Sequence, residues 1–135
     1  MVAIPTSSQH PDVAMKFINM MHSDTNLLDL LVVAPCTANT AAKLANGITD
    51  TTATMAVKSM LRRQKSIVLA IATNDALRAS AKNIGLLLNT KHYYFVPLRQ
   101  DAPAEKPASM VADFTKLPET VALARDGKQI QPIFG

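Results

Sequence analysis

Three short stretches hold the residues best suited to bind a ligand. They are Thr6, Ser7 and Ser8 in TSSQ, the run Pro35, Cys36, Thr37, Ala38, Asn39 and Thr40, and Thr73, Asn74 and Asp75 in TNDAL. Each combines short side chains that donate and accept hydrogen bonds with a turn that leaves backbone N–H groups approachable. That chemistry suits a neutral ring rich in nitrogen and oxygen. It does not suit a metal ion, because no group of His, Cys, Asp and Glu has ligand spacing, and no metal is expected. The plain alternative is that each stretch is an ordinary turn or helix cap, where Ser, Thr and Asn are equally at home.

The elements around these stretches explain why they would face solvent together. Apolar runs and turn residues alternate along the chain: a strand over Val2 to Ser8, a helix over Pro11 to His22 with Val13, Phe17, Met20 and Met21 at helical spacing, and a buried strand over Leu27 to Ala34. A short helix opens near Asn39 or Thr40 and stops at Gly47, and a second helix covers Thr51 to Arg63. The strand Ser66 to Thr73 has six consecutive apolar residues, which calls for cover on both faces and hence a parallel sheet between helices. A helix over residues 76–89, a strand over His92 to Leu98, a proline-rich loop or flap and a helix over Leu117 to Gly127 complete the pattern, with Pro118 in that helix's first turn. Such alternation predicts an open, mostly parallel α/β sheet with right-handed crossovers, and ligands bind such sheets outside the carboxyl ends of the strands. The three polar stretches fall at those ends.

Bulk properties narrow the function classes. A chain of 135 residues with 48% apolar composition fits one domain spanning 1–135. No apolar run is long enough to span a membrane and the first residues lack signal-peptide order, so membrane association is not expected and the cytoplasm is. Cys36 is the single cysteine, which excludes an intrachain disulfide and suits a reducing compartment. The formal charge of +4 has its densest basic stretch in VKSMLRRQK, which reads as the solvated end of a helix. With no Trp and only 4% aromatic residues, no basic patch is interleaved with rings, so nucleic acid is not an expected partner. The seven methionines read as core or interface filling.

The segment APCTANTAAKLANGITD resembles the P-A-S-A-N-T loop of the flavin-dependent cysteine decarboxylase family. The longer pattern, with ATNDAL, KNI and YFVPLRQDAPAEKPASMVA, is similar to one branch, the flavoprotein-like B subunits of dipicolinate synthase from spore-forming bacteria, over about residues 27 to 132. The resemblance implies a flavodoxin-like or Rossmann-like three-layer sandwich that binds FMN at strand ends and assembles into homo-oligomers. It implies that Pro35, Cys36, Thr37, Ala38, Asn39 and Thr40 touch the flavin ring, with Asn39 the chief polar contact. Thr73, Asn74 and Asp75 would form a loop over ring or substrate, Asn83 would lie one or two helical turns on, and Thr6, Ser7 and Ser8 would sit near the flavin phosphate. It further implies an oxidoreductase working with a larger NAD(P)-binding A subunit, converting a small dicarboxylate, a dihydrodipicolinate-type precursor, to pyridine-2,6-dicarboxylate during sporulation. Members of the family begin with another strand, a G-x-T-G-S phosphate loop and a long helix; this chain starts after them, reads as truncated at the N-terminus relative to the family, and its glycines, Gly47, Gly85, Gly127 and Gly135, supply no replacement for that loop.

No catalytic residue is assigned. Asp75 reads as a general acid or base or, more simply, as a turn cap; Cys36 reads as packing unless a neighbour lowers its pKa. His10, His22 and His92 do not fall in the decarboxylase histidine motif, and Arg99 and Lys106 suit either a dicarboxylate or a solvated loop. Two other readings stay open: an FMN-dependent decarboxylase acting on a cysteine-derived carboxylate, and a cofactor-free assembly subunit.

Overall fold

A computed structural model describes residues 2–5 and 28–135. The helix expected over residues 11–22 lies outside the described residues, as do His10 and His22.

The sheet is built around β3 (Ser66–Thr73), in which Ile67 to Ile71 are all buried. β2 (Leu28–Cys36) and β4 (Tyr93–Phe95) flank it, both parallel to it. Alternate side chains of a strand point to opposite faces, so unbroken burial requires cover on both. α2 (Thr52–Arg62) and α4 (Leu117–Arg125) both pack on β2 and β3, while α1 (Ala38–Ala45) and α3 (Ala81–Leu88) pack against each other. The α/β class read from the alternation is the one observed.

The edges differ from the simple alternation. β1 (Val2–Pro5) runs antiparallel to β2, with Val2 opposite Val32 and Pro5 opposite Leu28. Its carboxyl end therefore lies at the amino end of β2, not beside the other strand ends. The strand expected over His92 to Leu98 is divided: β4 ends at Phe95, Pro97 has no N–H for a ladder, and the chain turns into β5 (Leu98–Arg99). β6 (Met110–Ala112), which the proline-rich loop concealed, pairs antiparallel with β5 and with Ala72 and Thr73 of β3. One edge of β3 thus serves β4 along its first half and β6 along its second.

The helices begin where side-chain caps permit. Thr37 caps α1, its Oγ1 accepting from the Thr40 amide at 3.3 Å. Thr51 and Thr54 form a reciprocal capping box at the start of α2. Gly47 and Gly127, expected as stops, take φ of +71° and +73°, the left-handed conformation that follows helix ends. α3 starts at Ala81, five residues later than the composition suggests, because residues 76–80 form turns fastened to Asp75, whose carbonyl oxygen accepts from the Arg78 and Ser80 amides.

Candidate functional site

β2 continues through Pro35 to Cys36, beyond the Ala34 boundary expected from sequence, because after an irregularity Cys36 pairs with Ile71 of β3. Pro35 and Cys36 therefore belong to the strand end, and the Ala34–Pro35 peptide is cis. This pairing places the two loops side by side: Thr37 to Thr40 leave β2, and Asn74 and Asp75 leave β3, at the same end of adjacent parallel strands.

Within the first loop, Thr37 and Asn39 are exposed. The Thr37 hydroxyl donates to Thr40 Oγ1 at 3.3 Å and accepts the Thr40 amide, so it retains some capacity to accept. Asn39 lies in the first turn of α1 with its amide open to solvent, which suits hydrogen bonding to a ring. Cys36 is fully buried, and burial pushes its thiol up to about 12. It stays protonated at neutral pH and is no nucleophile, as the packing reading requires.

The second loop is organised by one carboxylate. Thr73 Oγ1 donates to Asp75 Oδ1 at 2.6 Å and Ser80 Oγ donates to the same oxygen at 2.7 Å. The Thr73 bond, then the Ser80 bond, hold the Asp75 carboxyl below the usual carboxylate range. Both hydroxyl protons are thereby committed to Asp75, so Thr73 and Ser80 present only acceptor capacity to a ligand. Asn74 between them is exposed. Ser80 is a member of this loop that sequence reasoning misses; its signal is a Ser five residues after a turn Asp, a spacing too common to stand out.

Asn83 is buried in the first half of α3, the helix that packs beside α1. The flap is tied to the second loop, since the Leu77 amide donates to the Ala108 carbonyl at 3.1 Å and Met110 pairs with Thr73. Arg99 instead faces Asp113 and Lys116 along a separate cavity of about 280 Å3, and Lys106 is exposed near Asp101. His92 lies at the far end of the sheet, its carbonyl accepting from the Ile67 amide at the start of β3. Thr6, Ser7 and Ser8 lie outside the described residues; Pro5, immediately before them, is at the end of β2 opposite the two loops. Among the described residues no group of His, Cys, Asp and Glu is placed to hold a metal ion, and no helix is long and apolar enough to cross a membrane.

Thr37, Asn39, Asn74 and Asp75 thus gather hydrogen-bond donors and acceptors at the ends of two adjacent parallel strands. For a flavin phosphate, no glycine-rich turn opens a helix among the described residues.

Comparison with known proteins agrees with this architecture. The Flavoprotein family model matches residues 7–123. The dipicolinate synthase B subunit of Bacillus subtilis (strain 168) is 45% identical over 106 residues, 78% of this chain, and the chain spans 53% of that relative's length. The crystal structure of the dipicolinate synthase B subunit from Bacillus halodurans C superposes with a TM-score of 0.80 at 35% identity, covering 96% of this chain and 75% of that one. The FMN-dependent cysteine decarboxylase SpaF is more distant, at TM-score 0.53 and 28% identity over 74% of this chain and 54% of that one. A PPC decarboxylase mutant, at 22% identity and TM-score 0.61, shares the fold. The chain belongs to the Flavoprotein family, on the branch of the dipicolinate synthase B subunits.

Proposed function

We propose that this chain acts as the B subunit of a dipicolinate synthase, in the cytoplasm of a sporulating cell, and that its strand-end loops seat an FMN ring and the substrate beside it. The observation that carries the reading is the Cys36–Ile71 pairing, which sets two hydrogen-bonding loops together at the ends of adjacent parallel strands. The substrate is a dihydrodipicolinate-type dicarboxylate; its conversion to the aromatic pyridine-2,6-dicarboxylate removes two electrons and two protons. A bound flavin would supply the two-electron acceptor. The residues' share is orientation: Asn39 and Asn74 hydrogen-bond the ring edge, Thr37 accepts at the first turn of α1, and Asn83 supports that turn from α3. Asp75, held as a carboxylate by Thr73 and Ser80, accepts an N–H from ring or substrate. The partner is the larger A subunit, and copies of this chain associate with one another.

Titrating the chain with FMN and following fluorescence quenching, alone and with an A subunit, tests this reading. Saturable binding that Asn39→Ala weakens about tenfold, the value of one good hydrogen bond to a ring, supports it. Absence of binding in both settings would sink the flavin assignment and leave a cofactor-free assembly subunit.

A further inference from the structure

The flap, residues 100–109, joins β5 to β6 and is closed at its neck. Arg99 pairs with Val111, and Gln100 Nε2 donates to the Pro107 carbonyl at 3.0 Å. Inside the loop the Lys106 amide donates to the Ala102 carbonyl at 2.7 Å, and the Ser109 amide donates to the Lys106 carbonyl at 3.1 Å. One side-chain bond joins its two ends. The Ser109 hydroxyl donates to the Asp101 carboxylate, and that bond is the first cause holding the Asp101 carboxyl below the usual range. Ser109 is only 3% exposed, so its hydroxyl needs a partner inside the protein, and Asp101 is that partner.

Ser109 stands between the two flap residues that grip the second loop. On one side the Ala108 carbonyl accepts from the Leu77 amide at 3.1 Å, just after Asp75 in the chain; on the other, Met110 pairs with Thr73, just before it. The loop is thus held by the flap on both sides of Asp75. Thr73 Oγ1 in turn donates to Asp75 Oδ1 at 2.6 Å, and Ser80 Oγ donates to the same oxygen at 2.7 Å. Leu77, Ala108 and Met110 have no polar side chains to contribute, so the grip is made by backbone, and its place depends on what fixes residues 108–110.

We propose that Asp101 is a positioning residue for the strand-end site: by holding Ser109 it fixes residues 108–110, and through Leu77 and Thr73 it sets how Asp75 presents its carboxylate. This role rests on the reading of Asp75 as the acceptor of a ring N–H. Asp101 acts through Ser109 and touches no ligand. Connected hydrogen bonds support one another, so loss of the outer bond is felt at the inner one.

The Asp75 titration in the unliganded full chain, followed by carboxyl NMR, reads the effect directly. Asp101→Ala and Ser109→Ala should each move it upward, by less than Thr73→Val, which removes a bond to Asp75 itself. Asp101→Asn should leave it in place, because the amide oxygen still accepts from Ser109. The amide variant also separates position from charge: removing a negative charge alone moves a neighbouring carboxyl downward, the opposite of the expected change. FMN titration should follow the same order, with Kd raised several-fold in Asp101→Ala and Ser109→Ala and near that of the unaltered chain in Asp101→Asn. Should Asp101→Ala fail to fold, Ser109→Ala, which removes a single oxygen, still decides. The proposal is overturned by an Asp75 titration that Ser109→Ala leaves unchanged, even where stability falls, since that marks Asp101 as a loop clasp only. It is equally overturned if Asp101→Asn moves Asp75 as far as Ser109→Ala does, or if the unaltered chain and Ser109→Ala bind FMN with the same Kd. Failure of the unaltered chain to bind FMN overturns the flavin reading alone, because the Asp75 titration is read without ligand.

Discussion

At the scale of single residues, hydrogen bonding and burial decide what each titratable group can do. Asp75 gains two hydroxyl donors in the fold, so its folded pKa lies below the unfolded value. The stability it contributes is present above the unfolded carboxylate range and is lost as pH falls through the folded pKa. Thr73→Val and Ser80→Ala should each move the Asp75 titration upward, Thr73→Val by more, as followed by carboxyl NMR. Cys36 has the opposite sense: burial raises its thiol to about 12, so the native chain keeps a proton that the unfolded chain releases from roughly pH 8.5. Stability should therefore decline as pH rises from about 8.5 towards 12, and Cys36 should react with a thiol reagent slowly in the native chain and quickly in denaturant. Rapid native modification at neutral pH would contradict the buried placement.

At the scale of elements, the fold depends on how strand edges and helix ends are closed. The outer edge of β4 is covered by one side chain: the Phe95 amide donates to Gln129 Oε1 at 2.7 Å, and Gln129 Nε2 donates to the Phe95 carbonyl at 2.7 Å and to the Ile130 carbonyl at 3.1 Å. A glutamine amide here stands in for a neighbouring strand and blunts an edge open to pairing with another chain. Gln129→Ala should cost about 1 to 3 kcal/mol by leaving buried groups of Phe95 unpaired, with denaturant unfolding as the measurement. Gln129→Glu retains a similar shape but can no longer donate to the Phe95 carbonyl at neutral pH, and should also destabilise.

For the molecule as a whole, a single core couples the sheet to both helical layers. Leu69 is fully buried at the centre of β3, and Leu69→Ala should cost about 2 to 5 kcal/mol, read as a lower denaturant midpoint with an unchanged slope. Since β3 also carries Thr73 and pairs with Cys36, the same variant should weaken any ligand bound at the strand ends. Charge is distributed unevenly. Arg63, Lys65 and Arg125 gather at the amino end of the sheet around Asp29, where Lys65 and Arg125 lie 3.7 and 3.9 Å from its oxygens and Arg63 Nη2 donates to the Leu28 carbonyl at 3.5 Å. These partly exposed pairs complement the carboxyl ends of α2 and α4 and contribute little individually.

Much of this was legible in the residues themselves. The apolar run of Ser66–Thr73 marked the central strand to the residue, because covering both faces of a strand leaves no polar alternation to blur its ends. The α2 boundary at Thr51 and the turns at Gly47 and Gly127 were equally local, set by caps and by backbone conformation. The Thr37–Thr40 and Thr73–Asp75 stretches announced hydrogen-bonding loops by composition. Tertiary structure alone decided that Cys36 pairs with Ile71, that β1 runs antiparallel, that β6 emerges from the proline-rich loop, and that the flap grips the loop of Asp75 from both sides. Those outcomes depend on pairings between residues distant in the chain, whose partners compete on packing and edge satisfaction, and local pattern carries no term for that competition.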